Sequence, residues 1–487
     1  MNDLGRDLVL AAGSYVALLL VVGAVARRAL REKTLSDFYL AGRRLGLMVL
    51  LLTLFATQYS GNSLSGFPGQ TYRQGLAYFM SVTFMVAIVA GYTLFVPSLF
   101  ARSRRGAFVT PTDFLAKRFA SPVLNYLSAT IFVVTLFNFL LAQLMAMGHA
   151  FSGLTDGAVS FATAVLVGAV VILVYELLGG MRAVAWTDVL QGGLLFGGLL
   201  VVVILLSFEV GSPAAVIASV EAVAPEKVAS PSLRVCLVWA SNFLLLGLGA
   251  PLYPQAIQRI YAARSMVTLR RALSAMAFLP LIAITTVVLI GLAGIALFPG
   301  IEGADADQIT FRVLAHLVEI QPLAYLPVLV VMMAVVAAIM STADSCLLSL
   351  ASIFTKDFLA RARGLDAAGA ERLLRWGPLF SITVMALLVG VALTPRTTLW
   401  GLLVIKFEIL IQMSPAFVLG TLHDADDPAA YTSRDILLGL VLGLGLAVTL
   451  YAVGLRTVGG LHAGVLGVGL NYAGAVISRR LRLRRHP

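Results

Sequence analysis

Apolar residues along this chain come in near-continuous runs of about twenty, joined by short polar connections, with neither the strict alternation of a half-buried strand nor the one-sided stripe of a surface helix. About 20 apolar residues rising 1.5 Å each cross the hydrocarbon core of a bilayer. The runs predict thirteen membrane helices at 8–26, 45–66, 76–100, 122–147, 159–178, 186–208, 233–253, 272–298, 323–354, 376–394, 398–421, 435–453 and 461–478. The expected fold class is all-α and integral to the membrane, with no room left for a large soluble domain.

Two runs are interrupted. The second reads LLTLFATQYSGNSLSGFPGQ and the seventh WASNFLLLGLGAPLYPQ, each with glycine, proline and polar residues at membrane depth. They lie five helices apart. Interrupted helices at corresponding positions of two halves point to an inverted repeat with its binding site near the midplane. The expected organisation is a first helix and loop (1–44), one repeat of helices 2–6 (45–208), a second of helices 7–11 (233–421), and two peripheral helices with a basic tail (422–487). Glycine and proline also serve as simple kinks in membrane helices, and no sequence repeat accompanies the pattern.

Composition agrees: 60% of the 487 residues are hydrophobic and 12% charged. The net charge of +11 is distributed unevenly. Counted on alternate sides of the predicted helices, 27 Lys and Arg face 7, which puts the N-terminus outside a cell membrane and the SRRLRLRRHP tail in the cytoplasm. The basic excess thus reflects orientation and attraction to anionic inner-leaflet lipid, and no nucleic-acid partner is expected. The first run lacks the basic n-region and small-residue cleavage site of a signal peptide, so it reads as a retained helix. Cys236 and Cys346 are too few for a disulfide framework and lack metal-ligand spacing. With no phosphate loop, charged pore ring or His/Cys ligand spacing, neither an enzyme nor a channel is expected. No oligomeric state is specified.

The chemistry concentrates in AVVAAIMSTADSCLLSLASIFTKDF, residues 334–358, where Ser341, Thr342, Asp344, Ser345 and Cys346 interrupt a greasy helix. At about 100° per residue, Ala338, Ser341, Thr342 and Ser345 share an arc of roughly 100°. Two readings stand. Hydroxyls on one face can hold a hard cation together with carbonyls freed by broken backbone elsewhere, or they bond back to carbonyls of their own helix and glue helices together. A carboxylate such as Asp344 at membrane depth is by default functional. Asp188 in WTDVLQ reads either as a site carboxylate or as the N-cap of the sixth helix. Glu176 reads as an interfacial charge. Lys406 and Glu408, two residues apart, do not share a helix face, so each needs its own partner or aqueous vestibule, and structural ion pairing and gating or solute contact are both open readings.

These residues are similar to a known family. AAIMSTADSCLL resembles the sodium-site helix of the sodium:solute symporters, YELLGGMRAVAWTDVLQG (175–192) their GG-(6)-TD-(2)-Q signature, and PQAIQRIYAARS (254–265) their QR-(3)-A-(1)-S stretch. The resemblance spans nearly the whole chain. It implies a leucine-transporter-type five-plus-five inverted repeat and sodium-driven import by alternating access. It also implies a sodium site made by the carbonyls of Ala56, Tyr59 and Ala338 with the hydroxyls of Ser341 and Thr342. A second sodium, present in some members, would use Asp188, Ser341 and Ser345, with Asp344 standing where other members carry serine. That added carboxylate strengthens a cation site or admits a proton. A transporter-like membrane sensor and a proton-coupled carrier are the alternatives.

For the solute, the second helix offers Gln58, Ser60, Asn62, Ser63 and Gly66. Sugar-transporting members carry a Glu-Gln pair where Asn62 and Ser63 stand, and proline transporters an aspartate and a tryptophan at the places of Gln58 and Asn62. A site with few polar groups beside the positive end of an interrupted helix suits a compact anion or zwitterion, so an amino acid or short carboxylate is expected.

Overall fold

In the computed structural model the described residues are 3–28, 34–155, 157–365, 373, 376–394 and 398–485. Every predicted run falls on a helix. Among the described residues nine helices are long and apolar enough to cross a membrane, and predicted spans two, five and ten fall on the shorter apolar helices Leu47–Gln58, Phe161–Val174 and Trp376–Ala392.

The first helix, α1 (Asp3–Arg28), is peripheral, with Leu10, Val21 and Val25 exposed towards the place of lipid. The second span is split into α2 (Leu47–Gln58) and α3 (Phe67–Gln74) and reaches eight residues beyond its predicted end. Its second half is too polar to read as a span. Its residues from Phe67 to Tyr72 are nevertheless buried against protein, with the Tyr72 hydroxyl donating to the Phe298 carbonyl at 2.6 Å. The third span, α4 (Phe84–Gly106), leads to a short helix α5 (Pro111–Phe119), whose first turn is pinned by Asp113 accepting from the amides of Val109 and Thr110 at 2.6 and 2.9 Å. A carboxylate there satisfies amides that have no intrahelical acceptor.

Next come α6 (Pro122–Leu154) and α7 (Phe161–Glu209), the latter broken at Gly180. There φ is +58° and a Cβ would stand 2.8 Å from the Phe38 carbonyl, so glycine alone lets the chain turn. The seventh span is again split, into α8 (Leu233–Gly249) and α9 (Pro254–Ala262). The predicted span ends at 253, which leaves Arg259 in a loop, among the 27 Lys and Arg of one side. The structure corrects both: α9 is buried throughout, and Arg259 is wholly enclosed.

Four further elements complete the core: α10 (Met266–Leu297), α11 (Tyr325–Ile353), α12 (Trp376–Ala392), and a bent pair, α13 (Leu399–Leu410) and α14 (Ser414–Leu422). The last two, α15 (Ser433–Ala452) and α16 (Ala463–Arg485), pack on each other. Helix α11 is the centre of the bundle. From Val331 to Ile353 every residue is buried, so its Ser, Thr and Asp side chains face other helices, chiefly α6 and α7.

Candidate functional site

The site is built where the two split helices lose their hydrogen-bond ladders. Tyr59 leaves α2 in an extended conformation (φ −97°, ψ 108°), which frees carbonyls of the preceding turn. Gly61 then passes so close to its neighbours that a Cβ would lie 2.5 Å from that of Ala146 and 2.8 Å from Cγ1 of Ile339, and its amide donates to Gln143 Oε1 at 3.0 Å. In the seventh span α8 tightens over Ala250–Leu252 and Tyr253 departs (φ −52°, ψ 124°) before α9 begins at Pro254.

Helix α11 lies across the first break. Thr342 Oγ1 stands 3.4 Å from the carbonyl oxygen of Ala56, joining the centre of the bundle to the open end of α2. A neighbouring network is tighter. Ser341 Oγ donates to Asp188 Oδ1 at 2.5 Å, while Thr53 donates to Oδ2 of the same carboxylate. Arg259 supplies the counter-charge: its Nη2 lies 2.8 Å from Asp188 Oδ2 and 2.7 Å from Ser345 Oγ, its Nε donates to Thr53 Oγ1 at 2.7 Å and its Nη1 to the Gln255 carbonyl at 3.1 Å. Neither charged side chain has any exposed surface. Asp188, Ser341 and Ser345 thus come together around a guanidinium.

Asp188 sits eight residues past the break at Gly180, well inside α7, so it is no N-cap. Ser345 bonds back to the Ser341 carbonyl at 2.7 Å, and Asp344 Oδ1 lies 3.4 Å from the Ser345 hydroxyl. Asp344 Oδ2 is buried with no hydrogen-bond partner among the described residues. Glu176, read as interfacial, is buried within α7. The hydroxyl-and-carbonyl cluster at Thr342 and Ala56 has the oxygen chemistry of a hard monovalent cation. The adjoining Asp188 network already holds its cation within the chain.

Beside this cluster lies a cleft enclosing no more than ≈480 Å³, its open side included, reached by both helix breaks. Gln58, Ser60 and Ser63 line it, with Tyr59; Gly66 is not part of its lining, and the side chain of Asn62 lies outside those described. Gln58 Nε2 donates to the Tyr92 hydroxyl at 3.1 Å, and the Ser60 amide to Ser63 Oγ at 3.3 Å. The remaining walls are apolar and aromatic, from α3, α4, α6, α8, α10, α13 and the break before α9, and Lys406 is the one cation among the described lining residues. The sequence leaves Lys406 open between ion pairing and gating or solute contact, because the helix that carries it is far from the others in the chain. Glu408 faces elsewhere, with Oε1 3.3 Å from Nδ1 of His462, as its two-residue offset from Lys406 requires.

Two split helices meeting at a cleft inside an apolar bundle, with a hydroxyl-rich central helix across one break, define a secondary transporter of the leucine-transporter type. The fold of a Na+-coupled sialic acid symporter, solved substrate-bound and outward-open, superposes with a TM-score of 0.75 over 99% of this chain and 98% of that one, at 18% identity. The sequence is 27% identical to the osmoregulated proline transporter OpuE of Bacillus subtilis, over 81% of this chain and 80% of that protein. It is 25% identical to the sodium/pantothenate symporter of Haemophilus influenzae, over 87% and 85%. The profile of the sodium:solute symporter family matches residues 38–423, and the chain belongs to that family. It is a multi-pass membrane carrier that couples a small-molecule solute to sodium, not an enzyme.

Proposed function

We propose that sodium binds between the carbonyls of Ala56, Tyr59 and Ala338 and the hydroxyls of Ser341 and Thr342. The solute, an amino acid or short carboxylate, binds beside it against Gln58, Ser60, Asn62, Ser63 and Gly66. The carrying observation is the approach of Thr342 Oγ1 to the Ala56 carbonyl across the break in the second span. An ion held there ties α11 to α2 and fixes the wall of the cleft, so that ion binding prepares the solute site. Asp188 and Ser345, the rest of a second sodium position by family resemblance, already bind Arg259, which supports one sodium per cycle. Asp344 adds its charge from beside Ser345.

The solutes named for the relatives support the carboxylate: proline, pantothenate and sialic acid all carry one. The halves 45–208 and 233–421 are the units that move against each other. The Lys and Arg asymmetry supports an N-terminus outside and a C-terminus in the cytoplasm, with sodium entering from outside.

The test is uptake into proteoliposomes of labelled proline, pantothenate and short carboxylates under an inward sodium gradient. Uptake of at least one that collapses when potassium replaces sodium is expected. Uptake that ignores sodium and follows a proton gradient overturns the site and turns attention to Asp344, whose partnerless Oδ2 is the feature that favours a proton.

A further inference from the structure

Lys406 stands in the wall of the cleft with about 1% of its surface exposed. Its Nζ lies 3.3 Å from the ring centroid of Phe139, 4.8 Å from that of Tyr253 and 4.9 Å from that of Phe407. These rings come from three elements: α6, the break before α9, and α13. Tyr253 and Phe139 stack on each other at 5.0 Å. No carboxylate, carbonyl or hydroxyl reaches the ammonium among the described residues. This differs from Asp188, Asp307 and Asp113, each of which is paired with Arg or Lys. Ring faces attract a cation but do not replace its hydration, so a buried ammonium held only by aromatics still lacks an anion.

The lining supplies none. Among the described residues it holds no Asp or Glu, and its polar groups, Gln58, Tyr59, Ser60, Ser63 and Tyr253, are neutral and gathered at the two helix breaks. An anion entering the cleft would therefore find one cation and neutral donors. A ligand ammonium would find no carboxylate and would be repelled by Lys406 through a medium that screens poorly. The walls around it, including Phe67, Phe84, Met85, Ile88 and Ile284, accept an apolar body and offer nothing to a polyol.

We propose that Lys406 receives the carboxylate of the transported solute, and that this solute is a compact apolar monocarboxylate without an amino group. The inference rests on the symporter reading and deepens it, narrowing the solute class from amino acid or short carboxylate to the latter. It makes Lys406 a specificity-determining residue. The pair closes only when solute is bound, because among the described residues only aromatic rings face the ammonium, and solute and Lys406 then answer each other's buried charge. Phe139 and Tyr253 hold the ammonium in place until the solute arrives, which limits the reorganisation that binding must drive.

The test uses the full chain in detergent, melted with 3-methylbutanoate and phenylacetate, with their amides, and with leucine and phenylalanine, each in sodium and in potassium. Ligands that bind the folded state raise the melt by mass action. In the native protein the acids bind about 30-fold or more tighter than the amides and the amino acids. Lys406→Met abolishes the preference of acid over amide while keeping the sodium-induced shift, and Lys406→Arg retains part of the preference. An amino acid that binds as tightly as its acid overturns the proposal. So does a Lys406→Met variant that still prefers acids, or a native protein that answers sodium but none of the acids, and in both cases the sodium site stands. If the acid preference is present but identical in potassium, the sodium reading fails and the role of Lys406 stands.

Discussion

Arg259 Nη2 and Asp188 Oδ2 meet at 2.8 Å with neither side chain exposed, so two distant sequence motifs, one on α7 and one on α9, close on each other at the centre of the bundle. Breaking a buried pair by removing one partner costs about 3–5 kcal/mol because the other charge is left alone, whereas removing both costs far less. Asp188→Asn and Arg259→Gln are each expected to lower the melting temperature strongly in detergent, and the double variant to recover much of the loss. Full additivity of the two losses would show that the pair does not act as a unit.

Thr342 acts on a different scale. Among the described residues its hydroxyl has one close partner, the Ala56 carbonyl at 3.4 Å, which is too long to contribute much to stability as a neutral hydrogen bond. Thr342→Ala is therefore expected to fold with a melting temperature close to the parent and to lose sodium-induced stabilisation, its midpoint in a sodium titration rising by about tenfold or more. That factor corresponds to about 1.4 kcal/mol, close to the lower end of what one contact to a charged group contributes. Thr342→Ser restores most of the effect. A titration unchanged in the alanine variant would remove Thr342 from the ion site.

How much of this was legible in the chain depends on what each helix faces. Segments that meet lipid, such as α1 and α15, are readable because the bilayer enforces apolarity. The polar face of α11 was legible from spacing alone, since Ser341, Thr342 and Ser345 share an arc on any helix. The halves α3 and α9 were not read as parts of spans, because hydropathy measures preference for lipid and these pieces are wrapped in protein. Gln255, Gln258 and Arg259 are fully buried against other helices. Arg259 carries a readable signal: an arginine within a motif, on the same chain as a membrane-depth Asp188, calls for pairing. Lys406 carried half a signal. Its need for a partner was readable, but its aromatic cage draws on Phe139 and Tyr253, more than 150 residues upstream, and on Phe407, and only the folded chain brings them together.

At the end of the bundle that also carries the connection 298–324, Asp307 pairs with Arg73 and accepts from the Leu399 amide at 2.9 Å. Burial outweighs these contacts and pushes its carboxyl up to about 6, from an ordinary value of 3.8. A carboxyl with a raised value binds its proton more readily when folded than when unfolded. Its contribution to stability is therefore fully present below about pH 4 and is lost as pH rises through 6, by up to about 3 kcal/mol. Asp307→Asn removes this dependence. The melting temperature of the variant relative to the parent is expected to rise between pH 4 and pH 7, and a difference that stays flat across that window would show that Asp307 titrates normally.

Asp344 presents the opposite case to Asp188: among the described residues its Oδ2 is buried with no hydrogen-bond partner, and no hydrogen bond joins it to Arg259, which bonds instead to Asp188, Thr53, Ser345 and Gln255. An unpaired buried carboxylate is costly until a cation comes near. Asp344→Asn keeps the shape and removes the charge. In sodium-free buffer the variant is expected to melt several degrees above the parent, consistent with a relief of about 1–3 kcal/mol. Sodium then stabilises it less, because in the parent part of the ion's effect is to answer that charge across a medium of low effective dielectric. The two shifts must appear together. A variant that melts higher but responds to sodium as the parent does would leave Asp344 outside the ion's field, and one that melts lower would show that its carboxyl has a partner after all.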